Sequence, residues 1–333
     1  MEIVLDVYGG DYAPAEIVKG AVKALDQKDD LTLVLFGKQE QIIEILKSYT
    51  YDEKRVKIFD SPEIVTNDDI PTDAIRKKTN SSLVAGLRYL GENENAKAFV
   101  SAGSTGAVLT GAVLLLKRIR GINRPALCPV LPTVTDRSVL LMDCGANVEC
   151  KPVNLVQFAQ MASAYAKCLN GNDCAPKIGL LSNGTEEKKG NTLNKETYPL
   201  LKNMPNFIGN IEGRDILSGV CDIVVCDGYA GNIALKSCEG TALSMFSMIK
   251  DGIMKGGLRA KIGYLLLKPV FKSIKKKMDY NKNGGAVLLG LEKIVIKSHG
   301  SSKAETIKNS ILQAYELDKE NILEKIKHEL CAE

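Results

Sequence analysis

Histidine is nearly absent: His299 and His328 are the only two in 333 residues. A histidine-rich metal site or a Ser-His-Asp triad would have to be built around one of them, so neither chemistry is expected. The nine cysteines are odd in number and lack CxxC or Cys/His metal spacing. No cleavable leader stands at the amino end, and the pattern reads as a chain of the reducing cytoplasm. No GxGxxG occurs, nor GxxxxGK followed by Ser or Thr, which removes the dinucleotide and nucleoside-triphosphate fingerprints. No apolar run approaches the roughly 20 residues that span a bilayer; the nearest, Ala107–Leu116, has Thr110 inside it. Internal repeats and low-complexity tracts are missing as well. A net charge of +4 is too small to argue for general nucleic-acid binding. No metal, no cofactor and no nucleic-acid partner is expected.

What is present is 45% hydrophobic and 25% charged residues, the balance of a soluble globular protein with an ample core. Short apolar runs alternate with helix-periodic segments. After Glu2–Val7 comes Pro14, where a first helical turn tolerates proline, then Ile17, Val18, Ala21, Val22 and Leu25 at helical spacing. A strand over Leu31–Phe36, a helix over Gln39–Ser48 and a strand over Arg55–Phe59 follow. These are βαβ units, and they predict an α/β fold with a largely parallel sheet. Residues Asp60–Thr79 break the rhythm with Pro62, Pro71 and several carboxylates. They read as a long surface excursion before a helix near Ser82–Leu90. The carboxyl end, Lys303 to Glu329, reads as one or two surface helices that brace the sheet. Residues 1–333 are taken as a single α/β/α domain.

Five apolar runs end in turns of small, hydroxyl-bearing or acidic residues. The turns are Asp6-Val7-Tyr8-Gly9-Gly10-Asp11, Ser101-Ala102-Gly103-Ser104-Thr105-Gly106, Asp143-Cys144-Gly145-Ala146-Asn147, Ser182-Asn183-Gly184, and Cys226-Asp227-Gly228-Tyr229-Ala230-Gly231-Asn232. In a parallel α/β sheet such turns lie at the carboxyl edge of the strands, where backbone N–H groups and helix amino ends attract an anion. Convergence of the five at one crevice is therefore expected, with phosphate as a fitting ligand. Ser101, Ser104 and Thr105 can donate hydroxyls beside the N–H groups of Gly103 and Gly106, although Ser/Thr/Gly is also ordinary capping composition. Asp6, Asp11, Asp143 and Asp227 can act as acids or bases, hold a metal or simply cap helices. The run Glu186-Glu187-Lys188-Lys189-Gly190-Asn191 brings two lysines to the same edge. One can neutralise an oxyanion or phosphate, and a solvated charge run is the competing reading. Cys144 and Cys226 sit at strand ends without a sequence-local histidine, so both read as incidental thiols.

From Cys238 onward the chain changes. Two long helical patterns meet near Gly256-Gly257, giving a protruding helical hairpin at about 238–278. In the second pattern Leu258, Ile262, Leu265, Leu266, Phe271 and Ile274 are apolar, while Arg259, Lys261, Lys268, Lys272, Lys275, Lys276 and Lys277 are basic. Such a segment can lie on an anionic membrane, each nearby basic residue contributing about 1 kcal/mol, or pack between subunits. Pro269 is expected to bend it or end its first half.

Taken together, the motifs resemble the phosphate acyltransferase family of bacterial phospholipid synthesis, the PlsX type. The likeness runs through Asp6-x-x-Gly9-Gly10-Asp11-x-Ala13-Pro14, the 101–107 run, Asp143-x-Gly145-Ala146-Asn147 and Gly184-Thr185-Glu186-Glu187-Lys188-Lys189-Gly190-Asn191. It continues through Gly209-Asn210-Ile211-Glu212-Gly213-Arg214-Asp215, Cys226-Asp227-Gly228-x-x-Gly231-Asn232, Asp279-Tyr280, Gly284-Gly285-Ala286 and His299-Gly300-Ser301-Ser302. The resemblance implies transfer of a long acyl group from acyl carrier protein to inorganic phosphate, giving acyl phosphate for glycerol-3-phosphate acylation. It also implies a three-layer α/β/α fold like that of phosphotransacetylase and the isopropylmalate dehydrogenase group, as a homodimer in the cytoplasm with peripheral membrane contact. Lys189 and Asn232 match the catalytic positions. Asp6, Gly9, Gly10, Asp11, Ser101, Gly103, Ser104, Thr105, Gly106, Asp143, Asn147, Glu186, Asp227, Gly228, Gly231 and His299 match positions expected to bind substrate. Leu258, Leu265, Leu266, Phe271, Lys268, Lys272, Lys275 and Lys276 would form the membrane or carrier-protein face. Tyr12 stands where the family commonly has histidine, Ser104 where it has asparagine, and Ser182-Asn183 where an asparagine precedes an aliphatic residue. Competing readings are acyl transfer with coenzyme A and an inactive membrane-attached scaffold that binds the carrier protein.

Overall fold

The computed structural model describes residues 1–135, 137–171, 175–277 and 284–331. The first apolar run forms β1 (Glu2–Asp6), buried along its whole length and therefore inside a sheet. In α1 (Ala15–Leu25) the stripe Ile17, Val18, Ala21, Val22 and Leu25 is buried, each large aliphatic side chain contributing about 1.5–3 kcal/mol. Strand β2 (Thr32–Gly37), helix α2 (Gln39–Leu46) and strand β3 (Val56–Asp60) continue the alternation. The excursion expected over 60–79 contains a helix, α3 (Pro71–Lys77). Pro71 sits in its first turn, where the missing N–H has no helical partner to lose. Helix α4 (Ser82–Glu92) is capped by Ser81, whose Oγ accepts from the Val84 N–H at 3.3 Å. Strand β4 (Ala96–Ser101) and helix α5 (Thr105–Leu115) follow.

Strands β5 (Ala126–Cys128) and β6 (Val130–Pro132) are separated only by Pro129, yet they belong to different sheets. Beyond them come β7 (Ser138–Met142), α6 (Pro152–Asn170), β8 (Ile178–Ser182), α7 (Thr192–Leu201), β9 (Phe207–Glu212) and β10 (Ile223–Val225). The hairpin helices α8 (Gly228–Lys255) and α9 (Gly257–Lys277) precede β11 (Ala286–Leu289), β12 (Ile294–Lys297), α10 (Ala304–Lys319) and α11 (Ile322–Cys331).

One sheet has the order β3-β2-β1-β4-β12-β11-β5, parallel from β3 to β12 and antiparallel at β11 and β5. The other has the order β6-β7-β10-β8-β9 and is parallel except at β6. They join where β5 meets β7: Cys144 N donates to Leu127 O at 3.0 Å and Leu141 N to Pro129 O at 3.3 Å. A single hydrophobic cluster runs across the join, from Ile3 and Leu5 through Met142 to Ile178 and Ile223. Helices on both faces complete an α/β/α architecture. The carboxyl-terminal helices brace it by burying Ile307, Ile311 and Ala314 of α10 and Ile322 and Ile326 of α11. At Gly20 an added β-carbon would stand 2.7 Å from Ala304 O, so α1 and α10 meet at near-backbone contact.

The first hairpin helix reaches back beyond the hairpin expected at about 238, and its opening residues Ala230, Ala234 and Leu235 pack on the core of the smaller sheet. Asp227 Oδ1 accepts from the Ala230 N–H at 2.8 Å and caps α8 at the turn after β10, so one 28-residue helix runs from that turn to the hairpin tip. Helix α9 also passes through Pro269 instead of ending there. The hydrogen bond lost at that proline falls on an exposed segment, between Leu265 and Leu266 on one side and Val270 on the other, where water can replace it. The side chains of Lys275 and Lys276 and the pair Asp279-Tyr280 lie outside the described residues.

Candidate active site

Parallel pairing sets the ends of β1, β4 and β12 side by side at one edge of the larger sheet. Asp6, almost fully buried at the end of β1, accepts from Ser101 Oγ at 2.7 Å and from Ser82 Oγ, so it ties β1 to β4 and to the start of α4. Burial pushes its carboxyl pKa above the ordinary value, opposed by the bonds from Ser101 and Ser82. Ser101 Oγ in turn accepts from the Gly103 N–H at 3.0 Å. A β-carbon on Gly9 would stand 2.5 Å from Asp6 Oδ2, so only glycine lets the two turns close. Gly10 has a φ of 108°, in the region that favours glycine. The next residue, Asp11, donates its N–H to Gly300 O at 2.8 Å, drawing the loop after β12 onto the site. Ser104 precedes α5 without capping it through its side chain, so the first N–H groups of that helix stay open to an incoming anion.

The smaller sheet builds a second cluster at the ends of β7 and β10. Asp143 is fully buried, and burial pushes its carboxyl pKa up. Its oxygens accept from Leu127 N at 2.9 Å, Ala146 N at 3.2 Å, Asn147 N at 2.6 Å and Asn147 Nδ2 at 2.9 Å. Asn147 Nδ2 also donates to Pro125 O at 2.8 Å. This carboxylate is thus fully engaged in shaping its turn. Gly228 and Gly231 pack against it, since a β-carbon would stand 2.8 Å from Asp143 Oδ2 at Gly228 and 1.9 Å from Asp143 O at Gly231. Asn232, at the start of the second turn of α8, is exposed and lies over Gly145. Cys144 and Cys226 are buried, and burial drives both thiols well above the ordinary range, away from thiolate chemistry.

Two cavities join these clusters. One, polar, is lined by Gly10, Asp11, Gly103, Ser104, Thr105, Lys297, His299 and Gly300. The other has an apolar wall of Leu127, Val130, Leu131 and Leu235, with Asn232, Lys236 and Glu239 at its rim. Thr105, Lys297 and His299 line both. The Ser301 N–H donates to His299 Nδ1 at 3.2 Å, which leaves the hydrogen of the neutral ring on Nε2. Desolvation and then the Lys236 charge hold the ring pKa below its ordinary value, so near pH 7 it is a neutral donor. Gly106 turns away from both cavities to pack on Pro71 of α3.

Glu186 and Lys189 form a third group, at the end of β8 next to β10. Both side chains pack over Gly184, where a β-carbon would stand 2.9 Å from Glu186 Oε2 and from Lys189 Cγ. Asn183 Oδ1 accepts from the Gly190 N–H at 2.9 Å, and Asn210 Nδ2 donates to Glu186 O at 2.8 Å, which fix the loop. Lys189 is exposed and has no ion-pair partner among the described residues. It lines neither cavity. Lys236 and Lys297 escape a reading of the sequence: the first looks like any polar residue on a helix, the second like the end of an Ile-Val-Ile strand. The available signal is the position of Lys297 two residues before His299.

On the hairpin, Leu258, Leu265 and Leu266 are 75%, 67% and 76% exposed. Phe271 is half-buried against Tyr264, with ring centroids 5.7 Å apart. Lys268 and Lys272 are exposed beside them. Among the described residues no helix is long and apolar enough to cross a membrane.

This architecture is that of the phosphotransacetylases. The chain superimposes on a phosphotransacetylase from Streptococcus pyogenes with a TM-score of 0.61 at 20% identity, covering 96% of this chain and 94% of that one. A branched-chain phosphotransacylase from Enterococcus faecalis V583 gives 0.59 at 14% identity, covering 95% and 98%. In sequence, residues 1–325 match the family described as "Fatty acid synthesis protein". "Phosphate acyltransferase" of Clostridium novyi (strain NT) is 45% identical over 329 residues, 98% of either chain. The protein of that name from Caldicellulosiruptor saccharolyticus is 48% identical over 336 residues, 100% of this chain and 99% of its own. The chain belongs to this family, the phosphate acyltransferases, and is an enzyme.

Proposed function

We propose that the enzyme moves a long-chain fatty acyl group from acyl carrier protein to inorganic phosphate, and that the acyl phosphate serves glycerol-3-phosphate acylation in phospholipid synthesis. The observation that carries this reading is the pair of cavities sharing Thr105, Lys297 and His299: a polar one suited to a phosphate, and an apolar-walled one of about 140 Å³ suited to the carbonyl end of an acyl thioester. Phosphate is largely dianionic near neutral pH and needs no base. One of its oxygens attacks the thioester carbonyl, the new C–O bond forms, the C–S bond breaks, and the departing thiolate takes a proton from water.

The site then has to hold the two reactants together and stabilise the tetrahedral oxyanion. Lys189 contributes charge and Asn232 a hydrogen bond to that oxyanion. The open N–H groups at the start of α5 supply donors and His299 Nε2 adds one more, while the N–H groups of Gly9, Asp11 and Gly103 are spent on closing the turns around them. Asp6 and Asp143, whose oxygens already accept bonds, position the turns. Tyr12, exposed and approached by Lys303 over its ring at 5.1 Å, supplies no imidazolium.

The exposed, apolar and basic α9 favours peripheral contact with an anionic membrane, and its lysines suit the acidic carrier protein. A homodimer is part of the same reading. Comparing turnover of an acyl carrier protein thioester with that of the matching acyl-coenzyme A, both with phosphate, tests the donor. Higher kcat/KM for the carrier thioester is expected; preference for the coenzyme A ester overturns the donor assignment. No thiol release from either would favour the inactive scaffold.

A further inference from the structure

Lys297 closes β12, paired with Ser101 of β4 on one side and Ala286 of β11 on the other. It is 8% exposed, lines both cavities, and its Nζ donates to the Ser298 carbonyl. Among the described residues no carboxylate lies within ion-pair distance of it. The charged groups around it are Asp6 at the end of β1, Asp11 beyond it, Lys236 and Glu239 on α8, and His299. None of these makes an ion pair with it, and Asp6 and Asp11 act on it only from a distance. Asp6 is bonded to Ser82 and Ser101, Lys236 and Glu239 pair with each other at 2.7 Å, and His299 is neutral. Asp11 is the one carboxylate on the polar wall. A buried ammonium without a direct ion-pair partner is costly, and a dianion entering the polar cavity supplies one.

We propose that Lys297 anchors phosphate at the wall common to the two cavities, holding it against the acyl thioester. This rests on the phosphate acyltransferase reading above and adds to Lys189 a second, buried cation. The two divide the work, for Lys297 binds the nucleophile while Lys189 meets the charge that develops. Burial, opposed by Asp6 and Asp11 and aided by Lys236, pushes the Lys297 ammonium down to about 8. Phosphate stays dianionic above neutral pH, so loss of anchoring in alkaline buffer would report this group.

The test compares Lys297→Met and Lys297→Arg with wild type, following phosphate-dependent thiol release and, separately, calorimetric binding of inorganic phosphate. Losing a charge-assisted contact should raise the phosphate KM about 10–100-fold in the Met variant, with the carrier-thioester KM unchanged and partial rescue by Arg. In wild type, phosphate binding should weaken as pH rises through about 8, and in Lys297→Met it should be weak and flat. A folded Lys297→Met with the wild-type phosphate KM overturns the role of Lys297 while leaving acyl transfer to phosphate standing. Wild-type thiol release that ignores phosphate overturns the reading beneath it. Should the Met variant not fold, wild-type phosphate binding that holds constant from pH 7 to pH 10 overturns the proposal by itself.

Discussion

A β-carbon on Gly9 would stand 2.6 Å from the backbone nitrogen of Gly103, so the turn after β1 and the turn after β4 touch main chain to main chain. The contact closes the wall of the polar cavity that Gly10, Asp11 and Gly103 line, and no side chain could be inserted without parting the turns. Gly9→Ala should therefore keep the helix and sheet content seen by circular dichroism, lose about 1–3 kcal/mol of stability to overpacking, and lose most activity. Wild-type turnover in a folded Gly9→Ala protein would mean that the two turns do not need this contact.

Lys189→Ala and Asn232→Ala test the oxyanion assignment. Each should lower kcat by about 10²–10³. The KM for phosphate should change little, in contrast to Lys297→Met. Near-wild-type kcat in either folded variant removes that residue from the chemistry.

The buried Lys297 also gives a stability signature. Its folded pKa of about 8 lies below the 10.5 of an exposed lysine. Between those values the unfolded chain binds more protons than the folded one, so this group makes stability rise with pH across that window. Below it the cost of burying the ammonium is fully present, on the order of 3 kcal/mol. In phosphate-free buffer Lys297→Met should be more stable than wild type at neutral pH by urea denaturation, and the gap should close in strongly alkaline buffer. A gap that is constant, or of opposite sign, contradicts the burial described.

Leu265→Asp with Leu266→Asp should abolish co-sedimentation with vesicles rich in anionic lipid. Lys268→Glu with Lys272→Glu should weaken it and also raise the carrier-protein KM, more so at low salt, where surface charges are least screened. Undiminished pelleting of both double variants would move this face from membrane to protein contact.

Much of this fold was legible because its parallel strands are continuous apolar runs, as in Ile3-Val4-Leu5, and its first helices carry clear stripes. The division into two sheets was not. It depends on β5 and β6, three residues each and split by Pro129, which are too short to show any period. Helix α3 was hidden by the prolines and carboxylates around it, although Pro71 is itself a start signal. The early start of α8 was masked because Asp227 serves at once as turn residue and cap. In the candidate site, glycines and carboxylates at strand ends stood out by composition, which is how Asp6, Gly9, Asp143 and Gly231 were named as candidates; the structure places them at the turns after β1, β7 and β10. What composition cannot give is the direction of a side chain: that the Asp143 oxygens turn inward to Asn147, or that Lys297 turns toward a cavity. Those follow from β7 meeting β5 and from β12 lying beside β4, contacts between residues distant in sequence.

Thiol release from an acyl carrier protein thioester, titrated with inorganic phosphate, decides whether phosphate is the acyl acceptor. Release should saturate with phosphate, with one acyl phosphate formed for each thiol freed. Release at the same rate without phosphate, or free fatty acid as the product, would contradict it.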